Sequence, residues 1–192
     1  KRENLTEFES TWLMQPLFTI LLAFIFYSDE RNWIIVALAL IASLSLVLSH
    51  VRKHHLVFDK YIIAALLGNF FFAVELVASK LILNYYSPFS FYFLRCVFIF
   101  AISFAIYLPS FKKLKGAKLG AMVLIVGLIW ILYRAIVYYG YLNLGIVFTT
   151  LLFILSPVLI FLFAVIFLKE KPTLGQIIST IVILICVVLA VL

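Results

Sequence analysis

The sequence predicts an all-α integral membrane protein, and three observations predict it. Hydrophobic residues make up 67% of the chain and charged residues 12%, against roughly 45–50% and 25% in an ordinary soluble domain. The apolar residues fall in runs close to the ~20 residues a helix needs to cross a hydrocarbon core about 30 Å thick. Most of the lysines and arginines stand between those runs. Charge this scarce cannot cover a water-facing surface, and lipid offers no partner to open backbone groups, so the spans must be helices or a closed barrel. The runs are far longer than the ~10-residue alternating strands of a barrel, which leaves helices.

Seven transmembrane helices follow in order. The first runs from Leu5 to Tyr27, weakest at its opening because of Glu7 and Glu9, and carries Pro16. The second is Trp33 to Ser49. The third, Tyr61 to Leu83, contains Asn69, Glu75 and Lys80. The fourth opens at Pro88, a residue suited to a first helical turn, and runs to Leu108 with Arg95 inside it. The fifth, Leu119 to Gly140, holds Arg134 and ends among tyrosines. The sixth, Ile146 to Leu168, has Pro157 at its middle, and the last runs from Leu174 to Leu192. Short connections make neighbouring helices antiparallel hairpins.

The basic residues alternate from side to side. Of fifteen Lys and Arg, eleven fall at Lys1, Arg2 and in the gaps 50–60, 109–118 and 169–172. The gaps 28–32, 84–87 and 141–145 contain only Arg31. The positive-inside rule places the basic loops in the cytoplasm and the end of the chain, one span after Lys171, outside. The net charge of +7 therefore reads as orientation and contact with anionic lipid heads, with no nucleic-acid partner. Cys96 and Cys186 lie within spans, as small apolar fillers. His50, His54 and His55 cluster in a loop without a ligand set, so no metal site is expected. No Gly-rich phosphate loop followed by Lys-Ser/Thr is present, so neither ATP hydrolysis nor a cofactor is expected.

An internal repeat relates the two ends of the chain. A shift of 141 carries Pro16 onto Pro157, Leu21 onto Leu162, Ala23 onto Ala164, Ile25 onto Ile166 and Phe26 onto Phe167, and acidic Asp29 onto acidic Glu170. Residues 1–55 then read as the last two helices of a first repeat, and residues 56–192 as a complete five-helix second repeat beginning near Asp59. On this reading three further spans precede Lys1, in roughly 80 residues. The whole would have ten helices in two five-helix halves. An odd number of spans per half inverts one half relative to the other, an arrangement that secondary transporters use.

The stretch Tyr138 to Leu192, YYGYLNLGIVFTTLLFILSPVLIFLFAVIFLKEKPTLGQIISTIVILICVVLAVL, resembles the EamA-type members of the drug/metabolite transporter superfamily. The carrying features are the Tyr-rich helix end, the central Pro157, the turn Leu168-Lys169-Glu170 and the final helix opened by Gly175-Gln176. Ser87-Pro88 through Arg95 is similar to the family's second helix, and QPLFTILLAFIFYSDE to the same proline-to-acid region of the first half. The resemblance implies a ten-helix transporter of small solutes. It also implies that both termini are cytoplasmic, where the charge bias places the carboxyl terminus outside.

Ionisable residues inside spans are costly and mark candidate sites. At 1.5 Å per residue, Glu75 lies about 13 Å, Lys80 about 6 Å, Arg95 about 10 Å and Arg134 about 9 Å from helix ends on the weakly charged side. Arginine keeps its proton, so Arg95 and Arg134 each require a partner, backbone carbonyls or a wet cavity. Glu75 is deep enough to pair with Arg95, which leaves Arg134 as excess positive charge. Lys80, nearer the surface, snorkels. The expected substrate-binding set is Arg134, Arg95, Glu75, Tyr138 and Asn69, around a cavity attracting an anionic or carboxylate-bearing solute. Gln15, Thr149, Thr150, Ser156 and Tyr139 are further polar positions for the path.

Pro16 and Pro157 each remove a backbone donor and are the expected hinges. Gly116-x-x-x-Gly120 and Ala64-x-x-x-Gly68 read as sites of close helix approach.

The function these readings imply is secondary, non-ATP-driven transport of a small metabolite by alternating access, with no catalytic residues. Its partners are a small-molecule solute and the lipid bilayer, and nothing in the residues demands a homodimer. The expected location is a prokaryotic plasma membrane. Two other classes fit a polytopic chain. An integral-membrane enzyme acting on lipid head groups would need clustered acids, and here only Glu75 is deep. A seven-helix receptor has no use for inverted halves.

Overall fold

The computed structural model describes residues 13–50, 60–108, 117–169 and 173–192. Every regular element among them is helical. In chain order these are α1 (Gln15–Phe26), a 3-10 turn (Ser28–Glu30), α2 (Trp33–His50), α3 (Lys60–Leu83), α4 (Pro88–Tyr107), α5 (Ala117–Asn143), α6 (Ile146–Phe153), α7 (Leu155–Leu168) and α8 (Leu174–Val191). Five stretches are long and apolar enough to cross a membrane: 63–83, 88–107, 120–143, 146–167 and 174–191. Two shorter apolar helices, α1 and α2, precede them. The basic loops, the three-histidine cluster apart from His50, and Glu170 lie outside the described residues.

The chain forms two compact units. The first comprises residues 1–78 and 144–192, the second residues 79–143. In the first, α2 and α8 make the most extensive helix pairing. Ala39, Ala42 and Ser43 are buried on α2, Ser179, Ile183 and Cys186 on α8. Small side chains let backbones come close, which is how helices gain packing energy in lipid, where no hydrophobic drive favours association. The Cβ position of Gly175, at the start of α8, is 3.8 Å from the Ser49 carbonyl oxygen near the end of α2. The two helices therefore run antiparallel. α6 packs against both α1 and α2, burying Ile146, Val147 and Leu151. In the second unit α4 packs on α5. Much of its apolar surface faces outward, Val97, Phe98, Leu124 and Leu128 included, as a lipid-facing helix requires.

Helix ends follow from local chemistry. Ser87 caps α4 by accepting from the Ser90 N–H, with Pro88 at the first position. Thr173 and Gln176 close a reciprocal capping box on α8. Asn32 Oδ1 accepts from the Ile34 N–H at the start of α2.

The sixth span, 146–167, divides into two helical segments at Ile154, three residues before Pro157, the interruption expected of that proline. The fifth continues through Gly140 to Asn143, because a single glycine only weakens a helix by about 1 kcal/mol. Among the described residues no close helix approach is found at Gly68 or Gly120, and Gly116 lies outside them. No atom among the described residues lies within 4 Å of where a Cβ would stand on Gly68 or Gly120.

Candidate functional site

In the second unit the structure brings Arg95, Arg134 and Tyr138 together. α4 presents Arg95 seven residues after Pro88. α5 presents Arg134 and Tyr138 four residues apart, on one face. Arg95 Nη1 donates to the Tyr138 hydroxyl oxygen at 3.4 Å. The Arg134 guanidinium carbon is 5.9 Å from the centre of the Tyr138 ring, within reach of a cation–π attraction. Tyr138 is fully buried, and Arg134 is 2% exposed. Phe91 and Tyr92 of α4 set their rings 5.1 and 6.4 Å from that of Tyr138. Because α5 extends to Asn143, Arg134 lies about 14 Å from the helix end at 1.5 Å per residue, deeper than expected.

The segment that carries this tyrosine is rich in base. Between Ser79 and Asn143 the sequence contains seven Lys and Arg and no Asp or Glu. Two guanidinium groups on one phenol repel each other, and a site of low polarity strengthens that repulsion. An anion placed beside them relieves it. Arginine matches carboxylate and phosphate with paired donors, so the arrangement can bind such a group.

The other expected residues are distributed differently. Asn69 and Glu75 belong to α3 within the first unit, buried and half-buried respectively. Gln15 is engaged locally, its amide donating to Thr19 Oγ1. Thr149 and Thr150 are buried on α6. Ser156 is exposed, and Tyr139 half exposed with its ring 6.3 Å from that of Phe89. Lys80 stands in the last turn of α3. Pro157 follows the break between α6 and α7. Pro16 stands in the first turn of α1 as described, and the carbonyl four residues before it, that of Trp12, lies outside the described residues.

A second polar centre, in the first unit, escaped the sequence reading. Glu30 is buried, and its carboxylate accepts from the Ile146 N–H at 2.6 Å and the Val147 N–H at 3.1 Å. These are orphan donors of the first turn of α6. A residue 116 positions away supplies what a cap normally supplies locally. Gly145 permits it with φ +84°, and a Cβ there would stand 2.8 Å from both carboxylate oxygens. On the same turn, Arg31 donates to the carbonyls of Phe24 and Ile25 at the end of α1. One acid thus sits at a helix N-terminus and one base at a helix C-terminus, each complementing the helix dipole. The only sequence signal was a glycine at a helix entrance.

Buried charge on lipid-spanning helices, together with outward apolar faces, defines a polytopic helical membrane protein. Residues 59–192 match the EamA-like transporter family, and the chain belongs to it. The family is one of membrane transporters of small solutes. No curated protein and no solved structure matches the chain.

Proposed function

We propose that the protein is a secondary transporter that moves a small solute bearing a carboxylate or comparable anion, by exposing a central cavity alternately to the two sides. One observation carries this reading. Arg134 is buried far inside a spanning helix and shares Tyr138 with Arg95, in a segment of the chain that holds no acid. A permanently charged side chain at that depth costs on the order of 2.5–3.5 kcal/mol, and a guanidinium held there has the donor geometry to engage a carboxylate or comparable anion. Asn69 and Glu75 are proposed as further solute-contacting residues, and Pro16 and Pro157 as the hinges.

Residues 1–55 supply the last two helices of one half, and residues 56–192 the other. The element bounds support this pairing, because the shift that carries Pro16 onto Pro157 carries Trp33–His50 onto Leu174–Val191, the bounds of α2 and α8. Two equivalent helices running antiparallel is the relation inverted halves require. The basic loops face the cytoplasm of a prokaryotic cell, and the solute and the bilayer are the partners.

The test is uptake by the full-length protein in proteoliposomes, screened with amino acids, nucleotide sugars, phosphorylated sugars and cationic drugs. Anionic or carboxylate-bearing solutes are expected to be taken up. Arg134→Leu should lower their uptake by roughly 10- to 100-fold, the worth of one hydrogen bond to a charged group at about 1.5–3 kcal/mol. Preference for cationic drugs, or unchanged uptake by Arg134→Leu at normal expression, overturns the reading.

A further inference from the structure

The first unit contains a cleft that the transport reading does not use. It has a volume of about 30 Å³ and lies among α2, α7 and α8, walled by Leu46, Pro157, Phe161 and Ile183 and by the polar residues Gln176 and Ser179. Ser179 is 4% exposed, and its hydroxyl oxygen has no hydrogen-bond partner among the described residues. A buried hydroxyl without a partner is costly, and native interiors rarely leave one so. The Gln176 side-chain oxygen is engaged with Thr173, so its amide nitrogen is left for other acceptors. A water needs about 10–15 Å³ of such free volume and two to four polar partners. The cleft offers both.

The neighbouring backbone has the complementary need. Pro157 brings no N–H to the helix ladder, and α6 and α7 meet at Ile154, whose own N–H still donates to the Thr150 carbonyl at 3.1 Å. Breaks of this kind persist in spanning helices where ordered water or neighbouring groups make up the lost hydrogen bonds.

We propose that the cleft is a water site, in which one or two waters held by the Ser179 hydroxyl hydrate the start of α7 at Pro157. Water in this position exchanges partners as α7 tilts, so the break bends without stranding a polar group. That mechanical consequence rests on the transport reading; the water site itself does not.

The experiment is X-ray hydroxyl-radical footprinting of the full-length protein in nanodiscs, read by mass spectrometry. Radiolysis of a bound water oxidises the side chains beside it. Phe161 and Pro157 are expected to be oxidised severalfold faster than Ile20 and Leu151, which are fully buried elsewhere in the same unit. Ser179→Leu fills the cleft and should bring the Phe161 rate down severalfold, with the Leu151 rate unchanged as the check on folding. Ser179→Ala removes only the hydroxyl and should give an intermediate rate; it decides between the outcomes if the leucine variant does not fold. Equal rates at Phe161 and Leu151 in the native protein, or a Phe161 rate indifferent to both substitutions, overturns the proposal. No solute enters the assay, so its failure is separate from a failure of the transport reading.

Discussion

Glu30 performs for α6 a task usually done by the residue that precedes a helix. The native Gly145 has φ +84° and ψ 166°, a region open in practice only to glycine, where strain for other residues is about 1–3 kcal/mol. The absent side chain also clears the space the carboxylate fills. Gly145→Ala should therefore destabilise by that strain and also by displacing Glu30, while Glu30→Ala should lose hydrogen bonds worth roughly 1.5–3 kcal/mol. In the double variant the collision no longer exists and the bonds are lost only once. Its thermal midpoint should fall by less than the sum of the single effects, as coupled residues do. Additive shifts would show that glycine serves backbone geometry alone. Arg134 and Arg95 belong to a different kind of residue chemistry. Their positions were readable from the sequence because charge inside an apolar run is conspicuous. The contact of Glu30 was not readable, because nothing local connects an acid in a turn with a helix start 116 residues away.

At the scale of elements, the spans follow from run length because lipid leaves the backbone few alternatives to the helix. What run length cannot supply is where a helix is interrupted. Pro157 marks a disturbance in the sixth span, but the interruption falls at Ile154, one turn earlier, where the missing N–H takes effect. Glycine pairs are ambiguous for a related reason. Small residues permit close packing without saying which face meets a neighbour, and at Gly68 and Gly120 no described atom stands within 4 Å of a Cβ position. α8 shows the opposite case, an end fully specified by its own residues. Thr173 accepts from the Gln176 N–H, and Gln176 Oε1 accepts from the Thr173 N–H. Thr173→Ala should lower stability by about 0.5–2 kcal/mol, the usual worth of such a cap. Hydrogen exchange should speed up at Gln176, whose N–H loses its acceptor. Unchanged exchange there would mean that burial against α2, and not the cap, fixes the start of α8.

At the scale of the molecule, two pairs of connections can be assigned to common ends of the first unit. The Glu30 bonds put the turn at 28–32 and the turn at 141–145 together. The approach of Gly175 to Ser49 puts the ends of α2 and α8 that border basic loops together. This is the grouping that charge alternation anticipates. Which end faces the cytoplasm is a separate matter of lysine and arginine bias. A phosphatase reporter fused after Leu192, active only when exported, should be active. An inactive but expressed reporter would invert the orientation and favour the arrangement that the family resemblance implies. The charge excess behind the proposed anion preference was legible in the sequence, whereas the tyrosine shared by both arginines needed the packing of α4 on α5.

The pairing of α2 with α8 sets a timetable for biogenesis. α2 is synthesised before its partner α8. The two are separated by roughly 140 residues of synthesis, at about 5–20 residues per second. The alanine and serine face of α2 therefore waits on the order of ten to thirty seconds for its neighbour. During that interval the insertion machinery, or lipid alone, must shield a surface shaped for another helix.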